Sequence, residues 1–196
     1  MNLTHPAFRL ALGTGLALAL ACGGGGSSSP PVVTPAPPAP KLVYTDATAG
    51  TIQLHGNAAL STTTHLVLEV VGTDATALSA GLCMSLNVEP AVAQWAKVQA
   101  ADPDLVQNGA VYTLGTGVPL LKAKAAGGTL TFVVGQKGYN SALATNGVLA
   151  RVALDLQPGA SAGLVVFNAG QSGNKLLTDG GILTDFTPGI GVLKVQ

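Results

Sequence analysis

The chain has 196 residues, of which 9% are charged and 47% are hydrophobic, and nine Lys or Arg residues balance nine Asp or Glu residues. A nucleic-acid-binding protein needs a basic face to meet the phosphate backbone, so this composition excludes that class. The charged fraction is far below the usual value of about 25%, and abundant Ala, Gly, Thr and Val indicate an extracytoplasmic β-rich domain.

The first segment, residues 1–21, has the layout of a secretory signal peptide. Its apolar stretch, residues 10–21, follows one positive charge and is too short to span a bilayer as a mature helix. Cys22 comes directly after this stretch, in the order "LALAC". The order resembles the lipobox of bacterial lipoproteins, although Ala19 stands where those proteins carry Leu, Val or Ile.

The lipobox resemblance implies that Cys22 becomes the acylated first residue of the mature protein and anchors it in a lipid bilayer. Gly23 rather than an acidic residue follows, which implies sorting to the outer membrane in a Gram-negative cell. Residues 23–40, "GGGGSSSPPVVTPAPPAP", cannot bury apolar surface, so we expect residues 22–40 to act as anchor and linker. The alternative is an ordinary secreted protein that is cut nearby, in which Cys22 has no role.

Residues 41–196 are long enough for one domain, and most of them form runs in which apolar residues alternate. Alternation with period two predicts strands that bury one face. Four such runs place these residues on one face each: Leu66, Leu68 and Val70; Leu82, Met84, Leu86 and Val88; Leu130, Phe132 and Val134; Val148, Ala150, Val152, Leu154 and Leu156. In the fourth run, Leu149, Arg151, Ala153 and Asp155 are predicted on the opposite face.

The remaining runs complete an all-β prediction. Residues 162–170 and 190–196 are short apolar runs bounded by glycine. At most one short helix is expected, and residues 89–103 are the candidate, since Pro90 could open it and Pro103 would close it. Many short strands with turn signals between them, and no regular alternation with helices, indicate a β-sandwich.

The order of these runs resembles a known family. It proceeds from "LVLEVVG" through "AGLCMSLNVEPAVAQWAKV" and "GGTLTFVVGQKG" to "NGVLARVALDLQPGASAGLVVFNAG", and the similarity to the cohesin-like β-sandwich covers most of residues 42–196. The resemblance implies a jelly-roll sandwich of about nine strands. It also implies a module that binds another protein, dockerin-like or otherwise extracytoplasmic, through one sheet face. Alternation alone does not rank the two faces.

Candidate catalytic residues are few. His55 and His65 lie in separate predicted strands and are expected at strand ends on the surface, without the spacing of a metal site. Asp102 and Asp104 flank a proline, which is typical of a turn rather than of a general acid and base. Ser172 lies between glycines but lacks the spacing of a nucleophile elbow. The sequence therefore predicts no enzyme, and no cofactor is expected.

Two further features leave alternatives open. Asp179 and Asp185 flank a glycine turn and could form a calcium loop, although the pattern is not that of an EF-hand. Cys83 stands alone once Cys22 is acylated, and its place in a strand predicts a buried, inert thiol.

Three function classes remain at this point: a membrane-anchored protein-binding module, a carbohydrate-binding sandwich and an enzyme, of which the last is disfavoured. A polysaccharide site would stack sugars on exposed aromatic rings, so the position of Trp95 separates the first two classes. A single Trp among apolar neighbours is more often part of the core.

Overall fold

A computed structural model describes residues 38–112, 120–136, 142–171 and 173–196. The predicted signal peptide, Cys22 and nearly all of the predicted linker lie outside the described residues, as does Ser172. Within the described part of the chain, no helix is long and apolar enough to cross a membrane.

These ranges contain fourteen strand segments and one 3-10 turn, Asp179–Gly181. The strands are β1 (Leu42–Thr45), β2 (Ile52–Gly56), β3 (His65–Ser79), β4 (Gly81–Val88), β5 (Ala93–Ala96), β6 (Val106–Asn108), β7 (Leu120–Ala126), β8 (Thr129–Gly135), β9 (Leu143–Leu156), β10 (Gly163–Leu164), β11 (Phe167–Ala169), β12 (Lys175–Leu177), β13 (Leu183–Asp185) and β14 (Val192–Val195).

The strands form three antiparallel sheets. A six-stranded sheet has the order β13-β12-β4-β8-β7, with β11 also paired to β4. A five-stranded sheet has the order β2-β3-β9-β5, with β6 also paired to β9, and a three-stranded sheet has the order β1-β14-β10. The structure has more strand segments than the nine strands that the resemblance implies. One reason is that β11 and β12 both pair with the same edge of β4, and β5 and β6 both pair with the same edge of β9. The predicted all-β sandwich is confirmed.

The core lies between the inner faces of the six-stranded and five-stranded sheets. The alternating residues that the sequence assigns to one face of β3, β4 and β8 are all buried in one cluster: Leu66, Leu68, Val70, Leu82, Met84, Leu86, Val88, Leu130, Phe132 and Val134. Burying one such side chain stabilises a fold by about 1.5–3 kcal/mol. The alternation therefore fixes which face of each strand points inward.

The prediction for β9 is wrong at its N-terminal half. Val70 pairs with Ala150, but the next residue, Val71, pairs with Val148, so Leu149 is an extra residue in a β-bulge. A bulge inserts one residue and reverses the alternation beyond it. Leu149 is consequently fully buried in the core cluster, whereas Val148 is half-buried.

Residues 89–103, the one helix candidate in the sequence, contain a strand instead of a helix. Ala93–Ala96 form strand β5, in which buried Ala93 and Trp95 alternate with exposed Gln94. Ala93 pairs with Leu156 and Trp95 with Leu154, so β5 extends the five-stranded sheet. The backbone hydrogen bonds and the burial offered by the neighbouring strand β9 override the local helix signal of Pro90.

Candidate functional site

The protein's own loops cover part of the outer face of the five-stranded sheet. Val67 and Ala153 point outward from β3 and β9, and both are fully buried. Val98 packs on them from the loop after β5, and Leu60 packs on them from the loop before β3. A second, smaller apolar cluster therefore covers this part of the face.

Polar groups on the same face are bound to one another. Glu69 accepts hydrogen bonds from Arg151 Nε at 2.7 Å and from Asn57 Nδ2 at 2.9 Å. The Nδ1 atom of His65 lies 2.6 Å from Asp155 Oδ1, and its Nε2 lies 3.2 Å from the carbonyl oxygen of Val98. His65 is thus a half-buried residue that holds a loop, rather than the surface histidine that was predicted.

The outer face of the six-stranded sheet remains accessible, and we call it the open face. The strand register arranges its residues in four rows across the sheet. The rows are Leu183, Leu177, Gly81, Gly135 and Leu120; Asp185, Lys175, Cys83, Val133 and Lys122; Ser85, Thr131 and Lys124; and Asn168, Asn87, Thr129 and Ala126.

The rows differ in chemistry. The first is apolar, and its two end residues are well exposed: Leu120 at 48% and Leu183 at 60%. The second contains an ion pair, in which Lys175 Nζ donates to Asp185 Oδ1 at 2.5 Å. The third and fourth carry hydroxyl and amide groups, including a 2.7 Å hydrogen bond from Thr129 Oγ1 to Asn87 Oδ1.

A shallow depression of about 600 Å³ lies on the open face, over strands β4, β8 and β7. Lys122, Lys124, Thr131, Val133 and Cys83 contribute to its lining. Thr131 is exposed, whereas Cys83 and Val133 are half-buried, so a small apolar floor lies beside two lysine side chains. This combination of apolar and polar groups is typical of a surface that can receive another molecule.

Cys83 was predicted to be buried, and the structure corrects this, because the residue is only partly covered and borders the depression. Desolvation raises the pKa of its thiol above the ordinary value, and the nearby positive charge of Lys175 opposes that shift. The thiol therefore forms less thiolate at neutral pH than a free cysteine does.

Other residues selected from the sequence have structural partners. His55 Nε2 lies 3.0 Å from Gln53 Oε1. Asp102 Oδ2 accepts from the backbone N–H of Gln99 at 2.8 Å, and Asp104 Oδ1 accepts from that of Leu105 at 2.8 Å. Both carboxylates thus shape a loop, as the sequence predicts.

The calcium alternative gains no support from the geometry. Asp185 is paired with Lys175, which places a positive charge beside one of the two candidate carboxylates. Asp179 lies in the 3-10 turn that precedes β13. In the described ranges, no three His, Cys, Asp or Glu side chains are grouped so that they could hold a metal ion.

Trp95 is a core residue. It is 9% exposed, and its Nε1–H donates to the carbonyl oxygen of Gly128 at 2.8 Å. Its ring lies 6.3 Å from that of Phe167, which in turn contacts Tyr44 edge to face at 5.9 Å. Tyr112 is also buried, which raises its pKa to about 12. Trp95 and Tyr112 are buried and Tyr44 and Phe167 are half-buried, so these four rings form no fully exposed stacking platform for a sugar. Tyr139 lies outside the described residues.

The sequence analysis missed Lys122 and Lys124. They lie in β7, "LLKAKAA", where every second residue points to the open face and both lysines are exposed. The signal that could have identified them is the Lys-Ala-Lys alternation, which places two like charges on one side of a strand.

Comparisons with known proteins agree on the fold. No protein-family model and no curated protein sequence matches the chain. A type II cohesin–X–dockerin complex from Acetivibrio cellulolyticus contains a chain that is 15% identical, with a TM-score of 0.53, covering 71% of this chain and 93% of that chain. A type I cohesin–dockerin complex from Clostridium thermocellum contains one that is 5% identical, with a TM-score of 0.47, covering 76% and 93%.

The similarity to the Acetivibrio cellulolyticus chain shows that this protein has the cohesin-like β-sandwich fold. The resemblance that the sequence analysis drew from alternating runs is therefore confirmed at the level of the fold. At 15% identity, residue roles do not transfer, so the function has to be argued from the open face itself.

Proposed function

We propose that this protein is a non-catalytic, protein-binding module and that the open face is its binding surface. The observation that carries the proposal is the difference between the two sandwich faces. Leu60 and Val98 cover Val67 and Ala153 on the outer face of the five-stranded sheet, whereas Thr131 on the open face is exposed. An accessible sheet face that combines apolar, polar and charged side chains around a shallow depression suits contact with a partner protein.

The fold supports the same proposal. The solved Acetivibrio cellulolyticus chain with this fold comes from a type II cohesin–X–dockerin complex. A dockerin-like or other extracytoplasmic protein is accordingly the kind of partner we propose. A polysaccharide is not proposed, because Trp95, Tyr44 and Phe167 pack against one another rather than forming an exposed aromatic platform.

Placing a bulky, uncharged side chain on the open face tests whether this face is the binding surface. We expect Thr131→Trp to abolish capture of a partner protein from the producing cell's own extracellular fraction, because the indole would fill the depression. Thr45→Trp is the matched control, since Thr45 is also an exposed strand threonine but lies in β1 of the three-stranded sheet. Capture is measured by mass spectrometry of proteins that the immobilised full-length variants retain.

Equal capture by the wild type and Thr131→Trp would place the binding surface elsewhere. Retention of polysaccharide without protein would contradict the protein-binding proposal itself. Circular dichroism of both variants checks that the fold is unchanged.

The N-terminal segment supports a second part of the proposal, namely that Cys22 is acylated and tethers the domain to a membrane. Acylation after an order such as "LALAC" would leave the Gly, Ser and Pro-rich linker between the lipid and the domain. The absence of an acidic residue at position 23 favours the outer membrane in a Gram-negative cell. Anchoring would raise the effective concentration of the domain near a partner in the same compartment.

Metabolic labelling tests this anchor. We expect a clickable fatty acid to label the wild type and to leave Cys22→Ser unlabelled, because the serine cannot form the thioether to the lipid. Cys83→Ser is the matched control and should label like the wild type. Equal labelling of the wild type and Cys22→Ser would show that the protein is not anchored through this residue.

A further inference from the structure

Lys122 and Lys124 are exposed on the same side of β7, an edge strand of the six-stranded sheet. Residues two apart in a strand are separated by roughly 7 Å, so the two like charges repel one another in the isolated domain. The ion pairs found among the described residues do not include either lysine. In a chain with nine Lys or Arg residues in total, this is a local concentration of positive charge.

Negative charge is distributed differently. Among the described strands of the open face, Asp185 is the one residue with a carboxylate. Its negative charge is neutralised by Lys175. Glu69 and Asp155 point to the covered face of the other sheet, where Arg151 and His65 pair with them. The open face therefore carries a surplus of positive charge although the chain as a whole is neutral.

The carboxylate of Asp104 is hydrogen-bonded to the free edge of β7, at a residue between the two lysines. Its Oδ1 accepts hydrogen bonds from the backbone N–H groups of Leu105 at 2.8 Å and Ala123 at 3.2 Å. This carboxylate is thus held to the backbone at the strand edge. It leaves the lysine side chains on the open face without a salt bridge.

Resting on the proposed function, we infer that the open face selects an acidic protein segment. Two carboxylates of the partner pair with Lys122 and Lys124, and an adjacent apolar side chain packs on Val133 in the depression. Val133 lies directly opposite Lys122 in the strand register, and Thr131 lies opposite Lys124. The apolar floor and the two charges are therefore neighbours, and the matching partner carries carboxylates roughly 7 Å apart beside one apolar group.

Edge-strand lysines also serve a purely structural purpose, since they keep sheet edges from pairing with one another. That purpose predicts self-association when the lysines are neutralised, whereas partner selection predicts a loss of acidic-peptide binding. The two effects are separated by measuring oligomeric state and binding on the same variant.

The probe is a fluorescent peptide of about twelve residues with Glu at alternate positions and Val or Ser between them, so that neighbouring carboxylates match the lysine spacing. Counterparts carry Gln or Lys in place of Glu. We expect the full-length wild type to bind the Glu peptide at least about tenfold more tightly than the Gln peptide, as measured by fluorescence anisotropy. The preference should shrink when NaCl is raised from about 0.05 M to about 0.5 M.

The double variant Lys122→Gln/Lys124→Gln is expected to lose the preference for the Glu peptide and to remain in the same oligomeric state. Lys41→Gln/Lys97→Gln is the matched control, because it removes the same charge from two exposed lysines outside the open face. It should keep the preference.

Three results would overturn the inference: no preference for the Glu peptide, an unchanged preference in the Lys122→Gln/Lys124→Gln variant, or equally tight binding of heparin, an acidic polysaccharide. Failure here is distinguishable from failure of the proposed function. If Thr131→Trp abolishes partner capture while the double lysine variant retains it, the open face binds a partner that is not selected by acidity. If Thr131→Trp has no effect on capture, the proposed binding surface is wrong.

Discussion

Replacing Val152 with aspartate is expected to unfold the domain. Val152 has no exposed surface, and it pairs with Leu68 of β3 on one side and with Val106 of β6 on the other. A carboxylate at this position would be buried without a partner, at a cost of several kcal/mol. Because the total stability of a domain is about 5–15 kcal/mol, little or no folded protein should remain.

Val192→Asp is the matched control, because the same chemical change occurs in a strand at a residue that is 51% exposed. We expect it to lower the melting temperature by only a few degrees, since surface substitutions cost within about 0.5 kcal/mol. Thermal unfolding followed by far-UV circular dichroism measures both variants. Similar melting curves for the two would show that β9 is not the central strand of the five-stranded sheet.

Arg151, the neighbour of Val152 on the outer face, is a poor control. Its Nε–H donates to Glu69 Oε1 at 2.7 Å, and the two side chains are 25% and 18% exposed. Removing Arg151 would leave a half-buried carboxylate with Asn57 as a remaining hydrogen-bond donor. Arg151→Ala therefore reports on the closure of the covered face and not on the position of β9.

The second large effect is expected from Trp95→Ala. The indole is 9% exposed, contacts the ring of Phe167 and binds the carbonyl oxygen of Gly128. Removing a large buried aromatic side chain typically costs about 3–5 kcal/mol. Trp95→Phe is the matched variant, which keeps a ring but loses the Nε1–H donor, so we expect a smaller cost of roughly 1–3 kcal/mol.

Urea unfolding followed by circular dichroism gives the free energy of unfolding for both Trp95 variants. The expected order of stability is wild type, Trp95→Phe and then Trp95→Ala. If Trp95→Ala were as stable as the wild type and instead lost affinity for a polysaccharide, Trp95 would be a sugar-binding residue and the carbohydrate alternative would be correct.

These two substitutions bear on function as well as on stability. Trp95 in β5 donates a hydrogen bond to the carbonyl oxygen of Gly128 in the β7–β8 turn. This bond connects the five-stranded sheet to the sheet that carries the open face. A destabilised variant is therefore not informative about binding. Thr131→Trp and the lysine variants avoid this problem, because all of them change exposed side chains.

The sequence by itself determined the inward face of most long strands. Alternation in β3, β4 and β8 identifies the buried residues correctly, because a strand has a strict period of two and one of its faces must leave water. The same alternating runs, in their order along the chain, were sufficient to predict the cohesin-like sandwich. The two lysines of β7 lie outside those runs, and the Lys-Ala-Lys alternation is the one local signal that marks them.

Tertiary structure alone decided three other features. Strand β5 forms because β9 offers Leu154 and Leu156 as partners some 60 residues along the chain, and no local pattern reveals such a neighbour. The bulge at Leu149 likewise depends on the register with Val70 and Val71. Loops also decided how accessible each outer face is, since Leu60 and Val98 cover Val67 and Ala153 on the five-stranded sheet. Loop cover is a contact between segments distant in sequence, and alternation within a strand carries no information about it.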